Sequence, residues 1–175
     1  MDPSSYASTT PDELQARVAV LQAMAVLDTP PEEAFDSIAR LAALVCDAPI
    51  AMVSLIDGRR LWFKSVVGVE ARSIDSQHSF CCQSANSKTP LEVANARLDP
   101  RFAHNGLVAG ELGIQCYAGA PIIYNEIGVG TVCVLDRVPR QFSSVQMAGL
   151  TDLASVALAL LRSRIEAFQL HADSR

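Results

Sequence analysis

Two neighbouring thiols, Cys81 and Cys82, follow Ser79 and Phe80 in a segment that reads as a short helix from Ser79 to Asn86. Thiols in a first helical turn lie among free amides at the positive end of the macrodipole, which favours the thiolate and so nucleophilic or redox chemistry. A second constellation is Arg101 with Phe102 and Tyr117. An arginine beside two aromatics can clamp an anionic planar ligand by bidentate bonding and stacking. The alternative is structural: Phe102 plugs the core beneath a loop while Arg101 caps a carbonyl. Metal ligands could be drawn from His78, Cys81, Cys82, His104 and Cys116. Only His78 and Cys81 are suitably spaced, and no Cys-x-x-Cys or His-x-x-x-His supplies the rest, so no metal site is assigned. Gly106, Gly110 and Gly113 lack both a following Gly-Lys-Ser/Thr and a preceding strand, and read as loop flexibility rather than a phosphate cradle.

These residues need elements to position them. Thr10-Pro11-Asp12-Glu13 and Thr29-Pro30-Pro31-Glu32 both place a capping hydroxyl, Pro at N1 and Glu at N3. Leu14, Val18, Leu21 and Ala25 recur at helical spacing behind the first, and Phe35, Ile38, Ala42 and Val45 behind the second, which must end before Pro49. Ile50 to Ile56 and Leu61 to Val67 form a hairpin around Asp57-Gly58-Arg59-Arg60; a two-residue turn there sets Ser54 opposite Phe63 and Leu55 opposite Trp62. Leu91 to Ala94 is a short strand. Asn95 to Gln115 is a polar irregular stretch of the kind that forms binding loops or lids. Cys116 to Ile123 and Val129 to Leu135 make a second hairpin across Tyr124 to Gly128, and Ser143 with Gln146 starts a helix running to about Phe168.

Helix, helix, two strands, short helix, strand, loop, two strands and long helix add up to an antiparallel α+β sandwich. Alternation splits the strands into two faces. Ala51, Val53 and Leu55 share one side with Gly130, Val132 and Val134. Ile50, Met52, Ser54 and Ile56 share the other with Val129, Thr131, Cys133 and Leu135, and this more polar face is where a pocket is expected, with the terminal helices opposite. Ser54 and Thr131 could instead simply satisfy local polar groups.

The chain has 175 residues, 50% hydrophobic and 19% charged, which bounds it to one domain able to bury its own core. We expect residues 1–10 to be disordered, 11–168 to form the domain, and 169–175 to be disordered again. The 14 basic residues against 19 acidic include a single adjacent pair, Arg59-Arg60, which is no footprint for nucleic acid. Five irregularly spaced cysteines suggest reduced thiols in a cytoplasm; Cys46, Cys116 and Cys133 read mainly as small packing residues. Met1 to Thr10 resembles no targeting peptide. The most apolar run, Leu153 to Leu161, is too short for a bilayer, so a soluble cytoplasmic protein is expected.

Several segments, in order, resemble GAF domains found at the N-terminus of bacterial sensor histidine kinases and diguanylate cyclases. They are Leu27-Asp28-Thr29-Pro30-Pro31-Glu32-Glu33 with Phe35-Asp36; Val53-Ser54-Leu55-Ile56-Asp57; Trp62-Phe63-Lys64-Ser65; Ser79-Phe80-Cys81; Asp99-Pro100-Arg101-Phe102; Tyr117-Ala118-Gly119-Ala120-Pro121; and Gly128 through Asp136. The resemblance spans about Val20 to Leu161. It implies a five- or six-stranded antiparallel sheet, terminal helices on one face and a small-molecule pocket on the other. It also implies a regulatory module whose helices join a homodimer to an output domain or kinase. The candidate ligand contacts are then Ser54, Phe63, Phe80, Cys81, Cys82, Arg101, Phe102, Tyr117, Thr131 and Cys133, with no catalytic residue and no named cofactor.

Two departures keep the ligand open: relatives often read Phe-Cys-Ala-His where this chain has Phe80-Cys81-Cys82-Gln83, and many carry an aromatic where it has Cys116. The alternative function is a GAF-fold thiol reductase of free methionine sulfoxide. One of that enzyme's cysteines falls near Cys81, but the second should fall near Gly110, where there is no thiol. Bilin-binding relatives usually present Cys-His, and neither Cys81 nor Cys82 precedes a histidine. The long helix carries Leu150, Leu153, Ala157 and Leu160, widened by Val156 and Leu161; with Leu14, Val18 and Leu21 it leaves surface for a second copy.

Overall fold

The Thr10 hydroxyl accepts the Glu13 N–H at 3.2 Å while the Glu13 carboxylate accepts the Thr10 N–H at 2.9 Å, closing the expected capping box over α1 (Pro11–Met24). The computed structural model describes residues 9–77 and 79–173, so the expectation for the N-terminus lies, before Thr9, outside the described residues.

The second helix start needs correcting. α2 (Glu33–Cys46) begins three residues later than its motif implies, with Glu32 as an N-cap that makes no side-chain bond. A residue followed by proline is pushed into extended backbone, and Thr29 and Pro30 both are. The Thr29 hydroxyl instead donates to the Val26 carbonyl and accepts from Lys64 Nζ at 2.7 Å, while the Pro30 carbonyl accepts from the same ammonium at 2.8 Å. Lys64 is thereby buried, over the Phe35 ring, and paired with Glu32.

β1 (Ile50–Asp57) and β2 (Arg60–Val67) form the first hairpin, with Ser54 opposite Phe63 and Leu55 opposite Trp62, as the two-residue turn requires. A strand without a strong sequence signal, β3 (Ser73–Asp75), pairs with the outer edge of β2. Next come α3 (Phe80–Ser87), β4 (Leu91–Val93), the single turn α4 (Gly106–Ala109), β5 (Cys116–Tyr124), β6 (Ile127–Asp136) and α5 (Ser144–Asp173). The second turn is tighter than expected, because Asn125 and Glu126 both adopt positive φ, 46° and 67°. The six strands lie in the order β3-β2-β1-β6-β5-β4, every pair antiparallel.

Two irregularities adjust the faces. In β2 the register slips between Ser65 and Phe63, so Lys64 and Ser65 both turn toward α2, where the Ser65 hydroxyl donates to Asp36 at 2.6 Å. In β6, Ile122 opposes Gly130 but Ile123 opposes Gly128. Val129, expected on the pocket side, is the extra residue and packs with the helices.

Elsewhere the two-face reading holds. Ala51, Val53, Leu55, Val132 and Val134 pack under α1, α2 and α5 through Leu21, Phe35, Ile38, Leu150, Ala157 and Leu161. Ile50, Met52, Phe63, Tyr117 and Cys133 pack under α3 and the 95–115 segment. α5 runs five residues beyond Phe168, so residues 169–173, expected to be disordered, continue the helix. By length and composition alone Ser144–Ala172 would pass for a membrane span, longer than Leu153 to Leu161 suggested. In this fold one side of it, Leu150, Ala154, Ala157 and Leu161, covers the sheet.

Candidate functional site

Ser79 caps α3 by accepting the Cys82 N–H at 3.1 Å, and the first turn aims Phe80 and Cys81 at the sheet. Phe80 stacks on Tyr117 of β5, with ring centroids 4.9 Å apart and planes 11° from parallel, and meets Phe102 at 4.4 Å. Such offset aromatic pairs add about 0.5–1.5 kcal/mol each to what their burial contributes. Beside this stack lies a cavity of about 30 Å³ whose walls include Met52, Leu61, Phe63, Phe80, Cys81 and Tyr117. The 95–115 segment closes one side with Leu107, Leu112 and Ile114, and Val69, Ala71 and Ile74 close another. Among the described residues, no charged side chain lines it.

A small polar cluster lies beneath the aromatic floor. Ser54 and Thr131 are cross-strand neighbours, and their hydroxyls pair at 2.8 Å. Cys81 Sγ is 3.7 Å from Cys133 Sγ and accepts from the Tyr117 hydroxyl at 3.7 Å. Within this pair Cys81 ionises first. The hydrogen bond from Cys133 stabilises its thiolate most; burial opposes this, and Ser54, Thr131 and Tyr117 add further donors. Cys133 is pushed well up, by burial first and then by Cys81. Burial also pushes the Tyr117 phenol well up, helped by the charge of the two thiols.

The expected contacts thus divide. Phe63, Phe80, Cys81 and Tyr117 line the cavity; Ser54, Thr131 and Cys133 sit buried behind that lining. Phe102 is fully buried against Phe80 and does not line the cavity. Arg101 is bound to Asp99 through Nε at 3.0 Å and Nη2 at 2.7 Å, with its guanidinium 5.0 Å from the Phe102 ring, away from the cavity. Cys82 does not line the cavity but packs against the edge of the cavity-side core, and burial pushes its thiol up despite the helix N-terminus. Burial raises Cys46 and Cys116 to about 11, in keeping with packing roles. His78 lies outside the described residues; among those described, no group of three His, Cys, Asp or Glu could hold a metal.

Sequence reasoning missed the walls contributed by Val69, Ala71 and Ile74, whose only signal is three apolar residues scattered through a polar stretch. Leu107, Leu112 and Ile114 were legible as apolar residues within an otherwise polar loop, but not as wall residues.

The GAF domain family model matches residues 30–160. The cyclic di-GMP phosphodiesterase PA2567 of Pseudomonas aeruginosa is 37% identical over 155 residues, which is 87% of this chain but 26% of that protein, so the chain spans about a quarter of the relative's length. Among solved structures, the GAF domain of an Acinetobacter phosphoenolpyruvate-protein phosphotransferase superposes with a TM-score of 0.65 at 16% identity, covering 89% of this chain and 95% of that one. The free methionine-R-sulfoxide reductase of Neisseria meningitidis does so with a TM-score of 0.64 at 14% identity, covering 91% and 96%. Likeness at these identities concerns the fold.

Proposed function

The chain belongs to the GAF domain family, and from that premise we propose that it is a sensory module of bacterial signal transduction. It binds a small molecule in the α3-side cavity and relays occupancy through terminal helices that pair two copies. The observation that carries this is the placement of cavity and helices on opposite faces of one sheet. Met52 and Cys133 face the cavity-side core while their strand neighbours Ala51, Val53, Val132 and Val134 face α2 and α5. Close-packed interiors transmit displacement rather than absorb it, so a ligand that shifts β1 and β6 is felt by both helices.

Phe63, Phe80, Cys81 and Tyr117 are the direct contacts in this reading, with Ser54, Thr131 and Cys133 supporting them from behind. The partner downstream is a signalling output domain or kinase, in keeping with the phosphodiesterase to which the chain is similar. Five free thiols suit a reducing, cytoplasmic setting. The module is not assigned catalytic turnover. Among the described wall residues, none is charged to hold the ammonium or carboxylate of a zwitterion such as free methionine sulfoxide.

Native mass spectrometry of untreated protein tests the reading directly. A retained small molecule, displaced when Phe63→Trp fills the cavity, is expected; a mass equal to the bare chain, with no thermal shift across a metabolite panel, would overturn it.

A further inference from the structure

Two buried thiols 3.7 Å apart, one of them in the wall of a cavity, serve the sensory reading only as contacts, which leaves their redox chemistry unused. A disulfide needs its sulfurs at about 2.05 Å, so closing the gap takes a movement of less than about 2 Å shared by two side chains. Cys81 lines the cavity and Cys133 lies behind it, which fixes the order of events: a reagent arriving through the cavity meets Cys81, and only Cys133 is placed to finish the reaction. Cys82, the sequence neighbour, packs against the edge of the same core but does not line the cavity.

We infer that Cys81 and Cys133 form a peroxide-reactive dithiol which the cavity reserves for small, uncharged alkyl hydroperoxides. The cavity sets the substrate class in two ways. Its walls include Met52, Leu61, Phe63 and Leu112, and among the described lining residues only Ser79 and Tyr117 offer a hydroxyl, so a charged or strongly hydrated oxidant gives up more water than those two groups replace, whereas an alkyl group loses nothing. Its volume is small, about 30 Å³, which restricts the alkyl group to one or two carbons. The Cys81 sulfur attacks the terminal oxygen of the hydroperoxide and the O–O bond breaks. The departing alkoxide takes up the proton that Cys81 gives up, which the Tyr117 hydroxyl at 3.7 Å can pass on, and leaves as the alcohol. Cys81 is now a sulfenic acid. The Cys133 sulfur attacks it, the S–S bond forms, and hydroxide leaves with the Cys133 proton as water. Two thiols are oxidised and one hydroperoxide is reduced. The event is stoichiometric, which suits a sensor: the bond ties α3 to β6, the strand that carries the helix core on its other face.

The inference rests on the cavity being the ligand site, and two measurements on the wild-type protein separate the two ideas. Ethyl hydroperoxide is added to the reduced protein and the products are mapped by peptide mass spectrometry. The expected result is a Cys81–Cys133 disulfide that dithiothreitol reverses, formed at least about tenfold faster than with hydrogen peroxide at equal concentration. Cys133→Ser is expected to stop at a Cys81 sulfenic acid, read as the gain of one oxygen in the intact mass and placed on Cys81 by peptide mapping, and Cys82→Ser to react as wild type. Thiols that stay reduced, a disulfide involving Cys82, or hydrogen peroxide reacting as fast would each overturn the inference. Xenon, which is chemically inert, tests the cavity by NMR: xenon entry with unreactive thiols leaves the sensory reading standing, and xenon exclusion overturns that reading.

Discussion

Gly119 stands two residues along β5 from Tyr117, and a Cβ there would lie 2.2 Å from the tyrosine oxygen and 3.0 Å from Cys133 Cβ. Only glycine lets the phenol lie flat over the strand and reach Cys81. Gly119→Ala should therefore push Tyr117 off its sulfur and cost about 1–3 kcal/mol as overpacking, read as a lower urea midpoint with an altered near-ultraviolet tyrosine signal; an unchanged midpoint would contradict the packing described. The hydroxyl pair beneath makes a different prediction. Ser54→Ala leaves the Thr131 hydroxyl short of a buried partner and should cost about 1–3 kcal/mol, whereas Ser54→Ala with Thr131→Val removes both polar groups and should recover most of it. A double variant no better than the single one would show that Thr131 has other work, such as holding Cys81. The sequence showed Tyr117, Phe102 and Cys81 as residues worth watching, because aromatics and a capped thiol are local features. It did not show that Cys133, 52 residues from Cys81, would meet it. That meeting depends on α3 approaching β6 closely, which Gly128 allows: a Cβ there would strike the Ala85 carbonyl at 2.1 Å. Arg101 pairs with the carboxylate of Asp99 two residues earlier, a partner that neither reading of the sequence, ligand clamp or carbonyl cap, had named.

At the scale of elements, one carboxylate ties three of them together. Glu32, the residue before α2, accepts from Arg164 of α5 at 2.9 and 2.8 Å and pairs with buried Lys64 of β2. Arg164 also donates to the Met24 and Ala25 carbonyls at the end of α1, both at 3.0 Å. Burial pushes the Glu32 carboxyl up, but the hydrogen bond and charge of Lys64, followed by Arg164, outweigh it and leave Glu32 below the ordinary carboxylate value. A carboxyl held low in the folded state contributes stability above its unfolded value, about 4.3, and loses it as pH falls through the folded value. Wild type should thus exceed Glu32→Gln in stability by a constant amount near neutrality, and the two should converge below about pH 4. Parallel denaturation curves at every pH would exclude the clamp. Arg164→Ala should cost about 1–3 kcal/mol by leaving two helix-end carbonyls without their side-chain donor and Glu32 with Lys64 alone. Nothing local announced this clamp, and it explains why the second capping motif misled. Thr29 and Pro30 serve Lys64, a partner 34 or 35 residues away, so the helix waits for Glu33. Val129 was misplaced for a related reason: alternation holds until a bulge, and this one lies in the pairing of β6 with β5, not in β6 alone.

The whole molecule puts two cores on one sheet, and α5 is where the helix-side core meets the outside. Its inner stripe is used within the domain, since Leu150, Ala157 and Leu161 are each fully buried, as is Leu21 of α1. The surface left for a second copy is therefore narrower than the helical spacing suggested. It includes Val156, 50% exposed, between half-buried Leu153 and Leu160, Phe168 and Leu170, 68% and 69% exposed toward the end of α5, and a patch where Leu44 and Val145 stand 74% and 75% exposed at the adjoining ends of α2 and α5. The Gln146 amide donating to the Val45 carbonyl at 3.4 Å keeps those two ends together. Apolar side chains so exposed contribute nothing to the isolated fold but gain on pairing, at roughly 25 cal/mol for each Å² covered. A substitution there should consequently separate association from folding. Light scattering at tens of micromolar should report a dimer for wild type, and Val156→Glu should report a monomer with its melting midpoint at low concentration unchanged. A wild-type monomer at that concentration would remove the helix-pairing route by which occupancy of the cavity leaves the domain. A monomeric Val156→Glu that also melted lower would mean that Val156 serves the core and that the paired surface lies elsewhere.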